Sequence, residues 1–568
     1  MLRAEIPNRT IPVLLFIDGL IAILLAVFAQ FVGLDPNPGW GASRYGLLAL
    51  GGVLISISFY LSVGKSFGFI SFEWVKTVFL LGHLWVVVFI VYGWFITYGN
   101  FTTWQNSTRY YGHLADAFSK GQLHVDIKPN EEFLEARDPY DSEDRPHFDD
   151  EIWDMSLYKE KLYIYWGPVP ALLLTPFQAR SSKPLHDIYL VYVFFCSLFV
   201  VNSFFVLKLW RQYYLDVPLW HVLASMALIA FILPVLWSLN VPEVYEAAIG
   251  AGQFFLIGGI YFAFLGITTG KKWYFLPAGF FWACSVGSRA INLFSVAYLS
   301  VVMIVWIFRD QSGSLLYWKK SLKPLALLII PLAFGAILLG LYNWARFDSP
   351  FEFGLRYQIT IYNLNRDMHL TFQPDYLPFN LYAYLFQPFD VVSRFPFIQP
   401  VKYSELLASL KIVEPKLYAG GPMTGMFFST PFLFLALITF FSKQKPVTQS
   451  DTTDDVQSRR YLLYLLGGSL LINSLTILFY FYGQMRFLVD FVSQFTLLAI
   501  LGYWELVRGS MRSASKRAKG YVLLANALLI LTLIFSFLLS FSSEANRMER
   551  SNPELMEKIA SLFVIGSN

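Results

Sequence analysis

The sequence predicts an all-α polytopic membrane protein with about 13 transmembrane helices, and three observations support this fold class. Hydrophobic residues make up 56% of the 568 positions and charged residues only 14%, whereas about a quarter of a typical soluble domain is charged. Apolar runs that approach the roughly 20 residues of a bilayer span recur along almost the whole chain. Basic residues are concentrated in the short segments on one side of these runs. An ordinary soluble enzyme is excluded by this composition.

Thirteen apolar runs are candidate spans: 11–33, 45–63, 77–98, 187–208, 218–239, 246–267, 273–287, 291–308, 324–344, 424–442, 461–482, 488–507 and 520–541. The first is too long for the core of a signal peptide, which predicts an uncleaved anchor. A single helix over 273–308 would be about 54 Å long, too long for a bilayer. The sequence "SVGSRAIN" in its middle favours two spans joined by a tight hairpin.

Loop charges predict the orientation. Six short loops together hold 19 Lys or Arg against 6 Asp or Glu: 64–76, 208–217, 268–272, 309–323, 443–460 and 508–519. Loop 99–186 holds 9 basic against 14 acidic residues, and loop 345–423 holds 7 of each. Because basic residues favour cytoplasmic loops, both long loops are predicted to face the non-cytoplasmic side.

The chain therefore divides into six predicted regions: N-terminal transmembrane helices (1–98), an acidic non-cytoplasmic loop (99–186), a transmembrane core (187–344), a second non-cytoplasmic loop (345–423), C-terminal transmembrane helices (424–541) and a tail (542–568). In the acidic loop, "STRYYGHLADAFSKG" (107–121) has the spacing of an amphipathic helix that ends at Gly121 as the C′ residue. The stretch "LYIYWGPVPALLL" (162–174) is too short to span. It predicts a helix that re-enters or lies on the membrane after a Pro-rich corner.

Carboxylates are concentrated in the acidic loop, beside residues suited to the membrane boundary. Asp154 lies directly before an aromatic stretch, where desolvation would be greatest, and it is the first candidate for a general base. Asp116, in the predicted helix, is the alternative. Asp149 and Asp150 are candidate ligands for a divalent cation such as Mg²⁺ or Mn²⁺, although acidic loop residues more often serve only to solvate a loop.

A second group of charged residues lies at the predicted outer ends of spans. Glu243 and Glu246 are three apart at the start of a span, where the helix dipole stabilises acids, and Glu246 is a further catalytic candidate. Guanidinium groups bind phosphate in bidentate fashion, so arginines at this depth suit an anionic lipid headgroup. A structural salt bridge between Arg486 and Asp490 is the competing interpretation. The candidates for substrate binding are Arg289, Arg356, Arg486, Asp490, Glu243 and Tyr165.

Several other chemistries find no support in the sequence. Both cysteines, Cys196 and Cys284, lie inside apolar runs, so neither a disulfide framework nor a cysteine metal site is predicted. The histidines show no zinc-binding spacing. The chain has no P-loop and no basic nucleic-acid-binding patch, which argues against cytoplasmic ATP and nucleic acid as partners.

Five segments carry a resemblance to a known family: "RYYGHLADAFSKGQLHVD", "DPYDSEDRPHFDDEIWDMSLYKEKLYIYWGPVPALLLTPF", "PEVYEAAIGAG", "YNWARFDSPFEFGLRYQ" and "RFLVDF". The chain resembles the GT-C superfamily of polytopic glycosyltransferases, in particular a bacterial branch; these enzymes use polyprenyl-phosphate-linked sugars as donors. Their first large outer loop carries a catalytic acid, an interfacial helix and a later aspartate before a Tyr- and Pro-rich stretch. Asp154 matches that later aspartate. The acid ahead of the helix has no counterpart in "WQNSTR" (104–109).

The resemblance implies an inverting glycosyl transfer at the outer face of the plasma (inner) membrane. The implied partners are a polyprenyl-phosphate-sugar donor, membrane lipid, and a glycan, lipid or protein acceptor of the cell envelope. An outer-loop carboxylate would deprotonate the acceptor hydroxyl, and arginines, with or without a divalent cation, would neutralise the lipid phosphate. The alternative is a transporter or lipid flippase, which predicts mid-bilayer ionisable residues and repeated halves. Here nearly all the charges lie at the ends of spans, and the sequence shows no internal repeat.

Overall fold

The computed structural model describes residues 10–29, 41–62, 72–105, 107–146, 152–309, 315–402, 413–441, 453–513, 515–543 and 546–563. The structure is 71% helical, and its longest strand has five residues, so the predicted all-α class is confirmed. The chain forms two compact units, residues 1–104 with 218–220 and residues 105–217 with 221–568.

The smaller unit contains three helices, α1 (Thr10–Phe28), α2 (Ala42–Ser62) and α3 (Phe72–Ile96). Helices α1 and α2 cross at two glycines. A Cβ atom at Gly19 would lie 2.7 Å from the carbonyl oxygen of Gly51, and one at Gly51 would lie 2.7 Å from that of Gly19. Hydrogen at both positions permits this backbone approach. Asp18 of α1 pairs with His83 of α3, which satisfies an ionisable group inside an apolar helix.

The rest of the chain supplies helices α4 to α22, which in order are Tyr110–Ser119, Glu131–Leu134, Val169–Gln178, Ile188–Tyr213, Leu219–Phe231, Leu233–Asn240, Val244–Thr269, Phe275–Ser288, Asn292–Phe308, Leu315–Phe347, Leu364–Asp367, Leu377–Leu385, Met426–Ser429, Ala436–Phe441, Thr453–Leu478, Val489–Arg512, Lys516–Phe541, Arg547–Ser551 and Pro553–Ser561. Short 3₁₀ turns cover Lys272–Tyr274, Leu355–Tyr357, Met368–Leu370, Pro374–Tyr376, Pro431–Leu435 and Met485–Leu488.

Strands β1 to β7 are Ser156–Tyr158, Lys161–Tyr163, Phe389–Val391, Ile398–Lys402, Ala419–Gly420, Pro422–Met423 and Tyr482–Gly483. Strands β1 and β2 form an antiparallel hairpin, with Leu157 opposite Leu162. Strand β4 pairs antiparallel with both β3 and β6, and β5 pairs in parallel with β7. These small sheets belong to the connections between helices.

Eight helices of the described residues are long and apolar enough to cross a membrane: Ile11–Phe28, Ile188–Tyr213, Leu219–Asn240, Val244–Thr269, Lys319–Phe347, Asp455–Leu478, Met485–Arg512 and Lys516–Phe541. The protein is therefore membrane-embedded, as predicted. The apolar window of Met485–Arg512 is 89% buried and that of Lys319–Phe347 only 6%. Helix α19 thus lies in the core of its unit, whereas α13 presents most of its apolar surface outward, as a lipid-facing helix does.

The other predicted spans correspond to shorter or interrupted helices. The predicted break in 273–308 is present between α11 and α12, at Arg289, whose φ of −146° and ψ of 106° are extended rather than helical. The single helix predicted over 424–442 is not observed. Pro431 follows α16, and the chain continues as a 3₁₀ turn and then α17, because proline cannot continue the hydrogen bonding of a helix.

Helix α4 confirms the amphipathic helix predicted within 107–121. Gly121 has a φ of +73° and occupies the predicted C′ position. Its N–H donates to the carbonyl of Phe118 at 3.1 Å, and the N–H of Gln122 donates to that of Ala117 at 3.0 Å. This pair of bonds is the Schellman ending, which satisfies carbonyls left open at a helix C-terminus.

The helix predicted after the Pro-rich corner of 162–174 is present, but the residues before the corner form a strand. Strand β2 occupies the beginning of this stretch, and helix α6 starts at Val169 after the Pro-rich corner. Lys159 and Glu160 between β1 and β2 have φ values of +49° and +62°, as in a type I′ turn. That turn ordinarily carries Asn-Gly, so the Lys-Glu pair carries no hairpin signal at the level of sequence.

The two long loops, 99–186 and 345–423, are joined by hydrogen bonds. The N–H of Asp154 donates to the carbonyl of Ile359, and the N–H of Ile359 donates to that of Met155, both at 2.8 Å. Nη2 of Arg145 donates to the carbonyl of Thr360 at 2.7 Å. The acidic loop and the second loop are therefore joined directly at residues 145–155 and 359–360.

Candidate active site around Asp154

Asp154 is held in an unusual backbone conformation. Its φ of +59° lies in the left-handed region, which aspartate tolerates better than most residues. The backbone bonds to Ile359 fix this conformation against the second loop. As a result the residue is only 6% exposed, and its carboxylate points inward although it lies in a loop rich in acids.

Burial and hydrogen bonding act on the Asp154 carboxylate in opposite directions. Burial raises its pKa from 3.8 to about 6, while the Tyr245 hydroxyl, the Arg486 charge and the hydrogen-bonding side chains of Thr360 and Gln358 favour the ionised form. Tyr245 donates its hydrogen bond to Oδ2 of Asp154. A carboxylate with a pKa near 6 accepts a proton more readily than an ordinary aspartate and is still ionised at neutral pH, as a general base requires.

A cavity of about 640 Å³ lies beside Asp154. It is lined by parts of both long loops, the start of α10, the break between α11 and α12, and the chain between α18 and α19. Its aromatic lining includes Trp153, Tyr165, Trp166, Tyr245, Tyr362 and Tyr480. Its charged lining residues are Asp154, Arg289, Glu352, Arg356 and Arg486. Because the start of α10, the end of α18 and the turn before α19 are ends of candidate spans, the cavity lies where these spans meet the loops.

The salt bridge between Arg486 and Asp490, the interpretation that competes with phosphate binding, is not present, because Asp490 pairs with Arg289. Nε and Nη2 of Arg289 donate to the two carboxylate oxygens of Asp490 at 2.7 and 2.6 Å, and Asp490 is fully buried. Arg486 lies in the 3₁₀ turn that precedes α19, so the four-residue spacing of an α-helix does not bring it onto Asp490. Asp490 therefore anchors Arg289, and it is absent from the cavity lining, against its prediction as a substrate-binding residue.

Arg486 has a different carboxylate partner. Its Nη1 lies 3.5 Å from Oε1 of Glu246, and its guanidinium lies over the ring of Tyr245, 4.0 Å from the centroid. Both charged residues are buried, Arg486 at 8% and Glu246 at 1% exposed. Glu246, predicted as a catalytic residue, does not line the cavity beside Asp154 and pairs with Arg486, so its catalytic role stays a prediction.

Glu243 and Glu246 form a capping box at the start of α10. The N–H of Glu243 donates to Oε2 of Glu246 at 3.3 Å, and Nη1 of Arg547 in the tail donates to Oε1 of Glu243 at 2.6 Å. In the capping box the side chain of each glutamate accepts a hydrogen bond from the backbone N–H of the other. These two bonds satisfy N–H groups that have no partner within the first turn of a helix. Glu243 caps α10 and lies outside the cavity lining, so the structure does not bring it together with Asp154, and its substrate-binding role stays a prediction.

The remaining candidates separate by position. Tyr165 and Arg356 line the cavity as predicted for substrate contacts, and Arg356 is about half exposed, with Glu352 as its partner at 3.6 Å. Asp116 is absent from the lining and pairs on its own helix with Lys120 at 2.8 Å. Asp154 and Asp116 were the two candidates for the general base, and of these two Asp154 lines the cavity.

The proposed cation ligands Asp149 and Asp150 lie outside the described residues. Within the described part of the chain, the structure has no cluster of three or more His, Cys, Asp or Glu side chains fit to hold a metal ion. The described residues therefore supply no complete cation site beside Asp154, and the divalent cation stays a prediction.

Sequence reasoning missed the residues that hold Asp154 and the helix ends in place. Tyr245, Gln358 and Thr360 contact the carboxylate from segments far along the chain. Asp187, fully buried, accepts hydrogen bonds from the hydroxyl of Thr108 and from the first N–H groups of α4. The "PEVYEAAIGAG" segment contained Tyr245, but nothing in a single sequence indicates which distant carboxylate a tyrosine meets.

No family model matches this chain, and the search of curated proteins found no matching relative either.

Proposed function

We propose that this protein is a membrane glycosyltransferase of the GT-C type, which moves a sugar from a polyprenyl-phosphate-linked donor to a cell-envelope acceptor. The observation that carries the proposal is the shared cavity of Asp154 and three arginines, Arg289, Arg356 and Arg486. A buried carboxylate and several cations around one cavity suit a reaction in which a hydroxyl attacks and a phosphate leaves.

The proposed step is an inverting displacement at the anomeric carbon of the donor sugar. Asp154 accepts the proton of the acceptor hydroxyl as the oxygen of that hydroxyl forms its bond to the anomeric carbon. The bond from the same carbon to the phosphate oxygen breaks, and its electron pair leaves with the polyprenyl phosphate. The products are the glycosylated acceptor, the free lipid phosphate and protonated Asp154, which returns its proton to water.

The three arginines have different partners around the cavity. Arg289 donates two hydrogen bonds to Asp490, whereas the guanidinium of Arg486 lies 3.5 Å from Glu246 and over the ring of Tyr245, whose hydroxyl binds Asp154. Arg356 is the most exposed of the three. We assign the phosphate to Arg486 and Arg356, with Arg289 contributing its charge from a fixed position.

The position and lining of the cavity support a lipid-linked sugar as its ligand. The span ends put the reacting groups at the boundary between apolar helices and polar loops, where a sugar phosphate would lie while its polyprenyl chain stays in the bilayer. Aromatic side chains such as Trp166 and Tyr480 offer apolar faces to a sugar ring and polar edges to its hydroxyls.

Several finer features belong to the same proposal. They are the count of 13 spans, the GT-C architecture, and the orientation that puts both long loops on the non-cytoplasmic side of the plasma membrane. The asymmetry of basic residues between the short and the long loops supports this orientation. A divalent cation bound by Asp149 and Asp150 would stabilise charge on the leaving phosphate.

The test is transfer by the purified protein in liposomes that contain a synthetic polyprenyl-phosphate sugar labelled in the sugar. The proposal expects release of free polyprenyl phosphate and loss of this release in Asp154→Asn. The transporter or flippase alternative expects the donor to change leaflet with its sugar–phosphate bond intact. Movement of intact donor in both wild type and Asp154→Asn would overturn the proposal in favour of that alternative.

A further inference from the structure

Tyr245 contacts the two charged groups on which the proposed reaction depends most. Its hydroxyl donates a hydrogen bond to Oδ2 of Asp154. The guanidinium of Arg486 lies over its ring at 4.0 Å from the centroid. The ring of Trp166 packs edge-on against it, with centroids 5.3 Å apart at an angle of 82°. One side chain therefore joins the acidic loop, helix α10 and the turn before α19.

Tyr245 is itself fixed by the start of α10. The preceding residue, Val244, donates its N–H to the hydroxyl oxygen of Thr108 at 2.9 Å, and that hydroxyl donates to Asp187 at 2.6 Å. The capping box described above holds the same turn from the other side. The backbone that carries Tyr245 is therefore held on both sides of the residue.

We propose that Tyr245 is a positioning residue that holds Asp154 and Arg486 in register, its hydroxyl orienting the carboxylate and its ring supporting the guanidinium. This inference rests on the proposed function, because it assigns Tyr245 a part in the same transfer. The hydroxyl contacts Asp154 and the ring contacts Arg486, so a substitution can remove the hydroxyl and keep the ring.

The charged and titratable groups that face Asp154 come from every element packed against it in the described residues: Tyr165 from its own loop, Tyr245 from α10, Tyr480 from the chain after α18, and Arg486 from the turn before α19. Burial raises the pKa of Tyr165 and Tyr480 above that of an ordinary tyrosine, so both stay neutral in the pH range where Asp154 titrates. Loss of the Tyr245 hydroxyl removes a donor that favours ionised Asp154.

The first experiment measures the protonation of Asp154 without any turnover. Carbodiimides react with protonated carboxyl groups, so the rate at which dicyclohexylcarbodiimide labels Asp154, read by mass spectrometry against pH, reports its titration. We expect the wild-type midpoint near pH 6 and a midpoint about 1–2 pH units higher in Tyr245→Phe. Replacing Tyr245 by 3-fluorotyrosine strengthens the donor and should lower the midpoint.

The second experiment separates the ring from the hydroxyl. Tyr245→Phe keeps the ring below Arg486, so the KM for the polyprenyl-phosphate donor should stay close to that of wild type while kcat falls. Tyr245→Leu removes the ring as well, and the donor KM should then rise about 2- to 30-fold, the range of cation–π contributions. Tyr261→Phe is the matched control, because Tyr261 lies on the same helix about four turns away and contacts Phe205.

The outcomes distinguish this inference from the proposed function. An unchanged labelling midpoint in both Tyr245→Phe and the fluorotyrosine protein would overturn the positioning role, even if wild type transfers sugar. Opposite shifts in the two proteins support the hydroxyl's role even if wild-type transfer fails and the proposed function falls with it. If Tyr245→Phe does not fold, the isosteric fluorotyrosine protein decides alone: a lower midpoint supports the role and an unchanged one overturns it.

Discussion

Asp154 combines burial with three kinds of hydrogen-bonding neighbour, and the balance between them predicts a pH dependence. Its pKa of about 6 lies above the ordinary value of 3.8 because burial disfavours the charged form. A base must be ionised, so activity should be full above this pKa and fall as the pH drops through it. We expect an acid limb near pH 6 in kcat/KM for the donor.

The raised pKa also links Asp154 to folding. Between about pH 4 and pH 6 the folded protein binds a proton that the unfolded chain has released, so this residue's contribution to stability decreases as the pH rises through that window. Asp154→Asn cannot titrate and should lack this pH-dependent contribution to stability. Thermal unfolding of both proteins at pH 4.5 and 7.5 measures the difference.

For the kinetic prediction, an acid limb near pH 4 in kcat/KM would contradict the assignment of Asp154 as the base.

Arg486 and Glu246 give a second prediction at the residue scale. If Arg486 binds the donor phosphate as proposed, Arg486→Gln removes a charge-assisted contact worth about 1.5–3 kcal/mol, so donor affinity should fall about ten- to a hundredfold. It also leaves Glu246 buried without this cation, so the melting temperature should fall as well.

The double variant Arg486→Gln with Glu246→Gln separates these two effects. It should recover much of the lost stability, because Glu246→Gln removes the buried negative charge whose cation Arg486→Gln takes away, but donor affinity should stay low. Titration of polyprenyl phosphate into each protein measures the affinity. Unchanged affinity in Arg486→Gln would exclude the phosphate contact.

At the scale of elements, a glycine contact joins the acidic loop to the helix break that carries Arg289. A Cβ atom at Gly167 would overlap the carbonyl oxygen of Gly287, at the end of α11. Backbone atoms on both sides cannot give way cheaply, so Gly167→Ala should cost about 1–3 kcal/mol or more. Both the melting temperature and transfer should decrease, since Gly167 also lines the cavity.

The matched control for this substitution is Gly509→Ala. Gly509 lies in α19, and a Cβ atom there would have no neighbouring atom within 4 Å. Alanine in an exposed part of a helix is more favourable than glycine by roughly 0.5–1 kcal/mol, so this variant should melt at the same temperature as wild type or slightly higher. Equal melting temperatures for the Gly167 variant and wild type would show that the loop corner does not pack on α11 as described.

Elements with a strong local signal were predictable from the sequence, and those without one were not. The ending of α4 follows from Gly121, and the break before α12 was expected because one helix over 273–308 would be much longer than the roughly 20 residues of a span. The hairpin β1–β2 was missed because Lys159 and Glu160 occupy positions that usually hold Asn and Gly. The interruption at Pro431 was not predicted. The run 424–442 is apolar enough for a span, and its apolar composition predicted a continuous helix despite the proline.

The same limit applies to the site. The cavity contains Asp154, Tyr165, Arg289, Arg356 and Arg486, all predicted from residue type and depth. Their partners were not predictable, because the pairs Arg289–Asp490 and Asp154–Tyr245 join residues 201 and 91 positions apart. A single sequence carries local periodicity but no direct record of which distant charges meet.

For the whole molecule, the proposed orientation predicts which exposed positions lie on the non-cytoplasmic side of the membrane. In a background with Cys196 and Cys284 replaced by serine, single cysteines at Glu160 and Asp375, both exposed, should react with an impermeant maleimide on intact cells. A cysteine at Lys271, exposed in a predicted cytoplasmic loop, should react only after permeabilisation. The reverse pattern would invert the orientation and put the cavity on the cytoplasmic side.

The most direct measurement of the central claim is the turnover of Asp154→Asn in liposomes with labelled polyprenyl-phosphate sugar, beside wild type and Asp116→Asn. Loss of a general base typically reduces the rate by about 10²–10⁴-fold, so release of polyprenyl phosphate should fall by that factor in Asp154→Asn. Asp116, paired with Lys120 outside the cavity, should tolerate the same change with near-normal turnover. Wild-type turnover in a folded Asp154→Asn protein would contradict the account.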